Sequence, residues 1–203
     1  MAKKVLALGK DGQLVLRSAN GSTQPIPKAP GGCALLLIDC SSSMSGSKIS
    51  EAKQGAVSFA GEAALKGYAV GLVSFASDAS LISEPAANAG LAAAVEALQA
   101  DGGTNMADAI NLAIETVGGR GSRAIVLVTD GEPNNREATI DAATRAKRLG
   151  IDIITIGVDG GDAEFLRLLA TRPDLATYVS TKELRSGITD AARMLSGVTA
   201  KWK

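Results

Sequence analysis

The hydrophobic residues of this chain fall into short continuous runs, which alternate with longer segments whose apolar residues recur at helical spacing. Short uninterrupted runs are typical of strands buried on both faces, and helical spacing is typical of helices that cover a sheet. The runs predict strands at residues 33–39, 69–75, 79–82, 123–129, 151–158 and 177–179. The spaced segments predict helices at residues 47–65, 88–100, 106–117, 137–149, 162–170 and 182–195.

The order of these elements predicts the fold class. Strands that alternate with helices of this length indicate an α/β fold with a doubly wound, mostly parallel sheet and helices on both faces. The strand at 79–82 follows its predecessor after a very short turn, so we expect it to be a short antiparallel edge strand. The predicted main domain covers residues 31–198, and residues 199–203 form a C-terminal tail.

The first 30 residues have a different pattern. Two apolar segments, 5–8 and 14–16, flank an Asp-Gly turn, which predicts a β-hairpin. Residues 19–30 contain three prolines and are predicted to be a linker with no proline in a strand or helix. The hairpin either adds an edge to the main domain or acts as an interaction arm. The need to bury a hairpin's apolar face favours the added edge.

The amino-acid composition limits what kind of core, partner and compartment we expect for this protein. Hydrophobic residues make up 46% of the chain and aromatic residues only 3%, so the core must be aliphatic. With 21 basic and 21 acidic residues, the chain has no excess charge that would favour nucleic acid or an anionic membrane as a partner. No apolar run approaches the roughly 20 residues that span a bilayer. A cytoplasmic protein is therefore expected, although a secreted domain trimmed of its signal peptide would have the same features.

Histidine is absent, and only two cysteines are present. A Ser-His-Asp triad and a His-ligated zinc site are therefore excluded within this chain. Cys33 and Cys40 lie on one predicted strand, seven positions and about 23 Å apart, which is beyond disulfide reach. Two free thiols favour a reducing compartment.

Oxygen-bearing side chains follow the ends of three predicted elements. Asp39, Ser41 and Ser43 occupy alternate positions at the end of the first core strand, Thr104 follows two glycines, and Asp130 follows the strand 123–129. Because parallel strands end at the same edge of a sheet, we expect these loops to meet there. Two carboxylates and three hydroxyls suit Mg²⁺, which prefers octahedral oxygen coordination.

The motifs resemble a von Willebrand factor A domain that carries a metal-ion-dependent adhesion site, the form shared with integrin inserted domains. This resemblance extends over about residues 33–195. The matching segments are DCSSSMSG at 39–46, GGTN at 102–105 and TDG at 129–131, with support from VGLVSF at 70–75 and ITIGV at 154–158. Any one of these is weak, but three signatures in order are specific. Ser42 stands where the family often has Gly, which leaves the ligands unchanged.

The resemblance implies a ligand set. Ser41, Ser43 and Thr104 would coordinate the ion directly, and Asp39 and Asp130 would do so directly or through water. The ion would be Mg²⁺, with Mn²⁺ or Ca²⁺ as alternatives, and an Asp or Glu of a protein partner would complete the coordination. In the family, such binding can be coupled to movement of the last helix.

Several of these residues also have purely structural interpretations. Asp130 could belong to an ordinary turn, and Thr104 could simply precede a helix. Asn105 with Asp108 resembles a capping pair, and we take this as their whole role. Glu132 is expected to be a solvated loop carboxylate rather than a support for the metal ligands.

Three kinds of function are considered for these features. A metal-dependent protein-binding module is favoured, because no nucleophile–base pair is evident. The alternative is a Mg²⁺-dependent hydrolase or phosphatase with Asp39 as nucleophile, but Lys48 is the only nearby cation that could clamp a phosphate. A nucleotide-binding domain is disfavoured, because no Gly-x-Gly-x-x-Gly follows the first core strand. The resemblance further implies an AAA+ ATPase or a kinase–phosphatase system as candidate partners, since small intracellular bacterial members often work with them.

Overall fold

The computed structural model describes most of the chain. The described residues are 4–8, 14–18, 23–25, 31–86, 91–118 and 121–195. Among their helices, none combines the length and the apolar character that crossing a bilayer requires. The predicted hairpin turn, part of the predicted linker and the predicted C-terminal tail lie outside these residues.

The N-terminal segment forms a sheet of its own. Strand β1 (Lys4–Leu8) pairs antiparallel with β2 (Leu14–Ser18), as predicted for the hairpin. Strand β2 also pairs with β3 (Thr23–Pro25), so the prediction of a linker without a proline in a strand is wrong. Pro25 is tolerated because β3 is an outer strand of this sheet. The pairings of the described residues do not join these strands to the main sheet.

The main sheet confirms the predicted fold class. Its strands in the described residues are β4 (Gly32–Asp39), β5 (Tyr68–Phe75), β6 (Ala79–Ala86), β7 (Ser122–Thr129), β8 (Asp152–Val158) and β9 (Ala176–Val179). Across the sheet they lie in the order β6-β5-β4-β7-β8-β9. All neighbours are parallel except β5 and β6, which form the predicted antiparallel edge.

Helices cover both faces of this sheet. They are α1 (Ser47–Leu65), α2 (Leu91–Glu96), α3 (Met106–Thr116), α4 (Arg136–Arg148), α5 (Ala163–Leu169) and α6 (Leu184–Met194). Alternate residues of β4 point to opposite faces, as the strand geometry requires. Leu36 and Ile38 pack in a cluster with residues of α1, α2 and α6, whereas Leu35 and Leu37 pack in a second cluster with residues of α3, α4 and α5.

Strand β6 and helix α2 differ most in length from their predictions. Strand β6 continues past the predicted 79–82 to Ala86, because Pro85 lies on an edge strand, where the loss of one amide donor is tolerated. Helix α2 ends at Glu96, earlier than the predicted 88–100, although this segment is rich in alanine.

The order of the strands at the centre of the sheet determines where a ligand-binding site is expected. The chain passes from β4 to β5 on one side and later returns to β7 on the other side of β4. Such a reversal of strand order is a topological switch point, and α/β sheets bind ligands at the carboxyl ends of the strands there. Asp39 ends β4, and Asp130 directly follows β7.

Candidate metal centre

The three predicted loops meet at the carboxyl ends of β4 and β7. Ile38 pairs with Val128 in parallel register, so Asp39 and Thr129 follow side by side. The amide of Ser42 donates a hydrogen bond of 3.1 Å to the carbonyl oxygen of Gly102, which ties the first loop to the glycine-rich loop. The five predicted oxygen residues are thereby brought to one edge.

Asp39 forms the inner end of the cluster and is fully buried. Its Oδ1 accepts a hydrogen bond of 2.8 Å from the amide of Ser41, and its Oδ2 accepts one of 2.5 Å from the hydroxyl of Thr129. Burial raises the pKa of the Asp39 carboxyl above its ordinary value, and the hydrogen bonds from Thr129 and Ser41 oppose that rise. Thr129 is therefore a supporting residue whose role was not predicted from the sequence.

The two serines connect the buried end of the site to Asp130. The hydroxyl oxygens of Ser41 and Ser43 are 3.0 Å apart, and the Ser43 hydroxyl donates to Asp130 Oδ1 at 2.7 Å. Residues 42–44 form a 3₁₀ turn whose Met44 is fully buried in the core. The anchored methionine holds the turn against the sheet, while Ser43 remains exposed to solvent.

Thr104 is held by a residue from another loop. Its amide donates a hydrogen bond of 3.0 Å to Asn134 Oδ1, and its carbonyl oxygen accepts one of 2.9 Å from the amide of Asn134. Both contacts use the backbone of Thr104, so its hydroxyl is not engaged in them. Gly102 has a φ of +83°, which accommodates the sharp turn before Thr104. The role of Asn134 was not predicted from the sequence.

The hydroxyls of Ser43 and Thr104 converge above Gly131. A Cβ atom built on Gly131 would lie 3.8 Å from Ser43 Oγ and 3.8 Å from Thr104 Oγ1. The two hydroxyl oxygens therefore flank the same small space, next to Asp130.

Lys48 is the third residue that was not predicted as part of the cluster. It lies in the first turn of α1, directly after the serine loop. Its Nζ is 2.5 Å from Asp130 Oδ2 and donates a second hydrogen bond of 3.3 Å to the carbonyl oxygen of Ser43. The Asp130 side chain is 1% exposed and the Lys48 side chain 23%, so this ion pair is largely removed from water.

The donor set fits a small oxygen-preferring cation. Adjacent ligands of octahedral Mg²⁺ are separated by about 3 Å, given metal–oxygen distances of about 2.1 Å. The distance between the hydroxyl oxygens of Ser41 and Ser43 is 3.0 Å, and that from the Ser43 hydroxyl to Asp130 Oδ1 is 2.7 Å. Both are close to this ligand separation. No group of three or more His, Cys, Asp or Glu side chains suited to a metal occurs in the described residues. A metal here would therefore depend on hydroxyls as well as on the two carboxylates.

Asn105, Asp108 and Glu132 have the contacts that their predicted structural roles require. The amide of Asp108 donates to Asn105 Oδ1 at 3.3 Å, and Asn105 Nδ2 donates to Asp108 Oδ2 at 2.6 Å, which confirms the capping pair. Glu132 is exposed and lies 4.0 Å from Arg136, as expected for a solvated carboxylate. Cys40 is buried, and burial raises the pKa of its thiol to about 12, so this thiol is protonated at neutral pH.

The sequence matches the model of the von Willebrand factor type A domain over residues 35–191. This match covers most of the chain and all five oxygen residues of the cluster. The chain belongs to this family. A comparison with curated proteins gives no match for this vWA domain.

Solved structures of other vWA domains have the same fold. The vWF domain of the type V pili tip protein Mfa5 from Porphyromonas gingivalis is 17% identical, with a TM-score of 0.75 over 84% of this chain and 97% of that chain. The SpRpn10 VWA domain is 19% identical, with a TM-score of 0.68 over 83% of this chain and 99% of that one.

Proximal thread matrix protein 1 from the mussel byssus is also similar, and its structure is described as having a zinc-occupied MIDAS motif. The identity is 18% and the TM-score 0.68, over 83% of this chain and 47% of that chain. The present chain thus spans less than half of that protein. At these identities the likeness concerns the fold.

Proposed function

We propose that this vWA domain is a divalent-metal-dependent protein-binding module of the integrin inserted-domain type. The observation that carries the proposal is the convergence of Asp39, Ser41, Ser43, Thr104 and Asp130 at the switch point of the sheet. Ser41, Ser43 and Thr104 would hold the ion directly, with Asp39 and Asp130 bound directly or through water. Mg²⁺ is the proposed ion because all the donors are hard oxygens, and Mn²⁺ and Ca²⁺ share this preference.

The contacts of the cluster suit such a role. When bound, the ion would supply a positive centre that attracts a carboxylate oxygen from outside the chain. The hydrogen bonds from Thr129 and from the Ser41 amide keep both Asp39 oxygens oriented. Ser43 is exposed, so the cluster is open to solvent on this side. The two carboxylates balance a divalent charge, and an added anionic ligand is then not repelled by an excess of negative charge.

Two of the similar structures support this proposal by their described properties. One is a pilus tip domain, and the other is described as having a metal-occupied MIDAS motif. The proposed partner is a protein with an accessible Asp or Glu. An AAA+ ATPase or a kinase–phosphatase system in the cytoplasm is the partner that the family resemblance implies.

The hydrolase alternative receives no support from the geometry. Asp39 is fully buried, and each of its carboxylate oxygens already accepts a hydrogen bond. A nucleophile needs an exposed oxygen aimed at its substrate. Lys48, the one cation beside the cluster in the described residues, is paired with Asp130.

A pair of serine variants tests the proposal. Ser43→Ala removes a proposed ligand from an exposed position, and Ser45→Ala removes a hydroxyl from an exposed position of the same loop outside the cluster. We expect titration calorimetry with Mn²⁺ to show binding to the wild type and to Ser45→Ala, and binding weaker by roughly tenfold or more to Ser43→Ala.

The same proteins can be used to retrieve a partner. We expect a specific protein to be retained by the wild type and Ser45→Ala in Mg²⁺, and to be lost in EDTA or with Ser43→Ala. Replacing one Asp or Glu of that protein with Asn or Gln should abolish its retention. Retention that is indifferent to EDTA and to Ser43→Ala would contradict the proposal.

A further inference from the structure

Lys48 supplies a positive charge at the place where the proposed cation would act. The ammonium contacts one oxygen of Asp130 at 2.5 Å, while the other oxygen accepts the hydrogen bond from Ser43. Both oxygens of this nearly fully buried carboxylate thus have a partner from within the chain. A buried carboxylate left without a partner would be costly, so the pair stabilises the cluster in the absence of a metal.

The position of Lys48 in its helix indicates that its role is to pair with Asp130 and not to stabilise the helix. It lies in the first turn of α1, and that turn contains no acidic residue. The helix dipole favours negative side chains at a helix N-terminus and disfavours positive ones. Helix stability therefore does not explain a lysine here, whereas the contact with Asp130 does.

A second carboxylate lies within electrostatic reach of Lys48. The pKa of Asp159 is lowered mainly by the hydrogen bond from Thr181, and the charge of Lys48 contributes to the lowering. Asp159 is exposed, follows β8 and accepts a hydrogen bond of 3.1 Å from the amide of Thr181. An ammonium displaced from Asp130 would therefore still face a negative charge at the rim of the site.

We infer that Lys48 is an internal counter-ion that competes with the divalent cation for Asp130. The ammonium and the metal compete for the negative charge of the same carboxylate, because their positive charges repel each other. Metal binding would therefore include displacement of the Lys48 ammonium from Asp130. Lys48 lowers the affinity of the site for metal and stabilises the metal-free domain. The inference rests on the proposed metal-binding function.

Mn²⁺ titration of three lysine variants tests this competition. Lys48→Met keeps the aliphatic stem without the charge, Lys48→Arg keeps the charge, and Lys53→Met removes a charge from the same helix outside the cluster, where Nζ bonds the carbonyl oxygen of Glu96. We expect Lys48→Met to bind Mn²⁺ about tenfold more tightly than the wild type. Lys53→Met should stay within about threefold of the wild type. Lys48→Arg keeps the competing charge and should not show the tighter binding of Lys48→Met.

Thermal unfolding gives a readout that does not depend on binding heats. In EDTA, Lys48→Met should melt at a lower temperature than the wild type, because Asp130 has lost its counter-ion. Saturating Mn²⁺ should raise its melting temperature by more than it raises that of the wild type. A melting temperature in EDTA that does not fall, or a smaller metal-induced rise, would overturn the inference.

The outcomes of the Mn²⁺ titration distinguish a failure of the inference about Lys48 from a failure of the proposed metal-binding function. Equal or weaker Mn²⁺ affinity of Lys48→Met, with normal binding by the wild type, overturns the role of Lys48 and leaves the metal site intact. Absence of binding to the wild type and to Lys48→Met overturns both.

A measurement on the wild type covers the case in which Lys48→Met does not fold. After reductive methylation with ¹³C-formaldehyde, the Lys48 signal can be assigned by its absence in Lys48→Arg. It should shift when Mg²⁺ is added, and the Lys53 signal should not. A Lys48 signal that stays in place while Mg²⁺ binds would overturn the inference.

Discussion

The two carboxylates of the cluster are held in different ways. Asp39 is fully buried and accepts hydrogen bonds from uncharged donors, the Thr129 hydroxyl and the Ser41 amide. Asp130 is also nearly fully buried, but one of its two partners is the charged ammonium of Lys48. Uncharged donors do not repel an approaching cation, whereas an ammonium does. In the proposed metal site, the Asp39 half would therefore be pre-organised, and the Asp130 half would exchange a partner when the metal binds.

The largest effect is expected when the pre-organised half is removed. Asp39→Ala should weaken Mn²⁺ binding by roughly a hundredfold or more, because it deletes one of the two negative charges and breaks the order of the serine loop. The fold should persist, at a cost of about 1–3 kcal/mol for the hydroxyl of Thr129 that loses its acceptor. Calorimetric titration with circular dichroism measures both. Unfolding, or unchanged affinity, would show that Asp39 is mainly structural.

A smaller effect is expected when Asp39 is kept but one of its supports is removed. Thr129→Val deletes the hydroxyl that orients Asp39 Oδ2 and should weaken Mn²⁺ binding by about tenfold. The matched control is Thr155→Val on the neighbouring strand, where an equally buried hydroxyl donates to the carbonyl oxygen of Leu166 at 3.1 Å.

Both threonine variants should lose about 1–3 kcal/mol of unfolding free energy, measured by urea denaturation. Only Thr129→Val should lose metal affinity. An equal loss of affinity in both variants would mean that general stability, rather than the orientation of Asp39, controls binding.

The smallest effect is expected at the loop that holds Thr104. Asn134→Ala removes the side-chain acceptor for the Thr104 amide but leaves the backbone bond between the two residues, so Mn²⁺ affinity should fall by roughly three- to fivefold. The control is Asn135→Ala, which removes the N-cap of α4 and should cost about 1 kcal/mol of stability without changing the affinity. Unchanged Mn²⁺ affinity of Asn134→Ala together with weaker affinity of Asn135→Ala would rule out a positioning role for Asn134.

The order and type of the strands and helices could be predicted, because each is marked by a pattern within its own segment of the sequence. Each buried parallel strand is a continuous apolar run, and each helix has its own spacing of apolar residues, so neither depends on knowledge of distant partners. Two of the errors occur where strand pairing overrides a local preference. Pro25 and Pro85 interrupt strand patterns, yet both are accommodated because they lie on outer strands.

The five oxygen residues of the candidate site could be predicted from the sequence, but the residues that support them could not. The five oxygen residues follow strand ends or a double glycine, and this local feature marks them. Thr129 could have been inferred from the parallel register that places it beside Asp39. Lys48 reaches Asp130 across 82 positions, and Asn134 contacts Thr104 across 30 positions. Such contacts depend on how loops fold back in space, which no periodic pattern encodes.

The glycine after Asp130 leaves the space beside the hydroxyls of Ser43 and Thr104 free of a side chain. A Cβ at position 131 would be in ordinary contact with the hydroxyls of Ser43 and Thr104, at 3.8 Å from each. Gly131 is not among the glycines with a positive φ, so its backbone would accept a side chain. A larger side chain there would lie beside these two hydroxyls in a still-folded domain. Relatives that keep all five oxygen residues should therefore also be compared at this position before a shared activity is assumed.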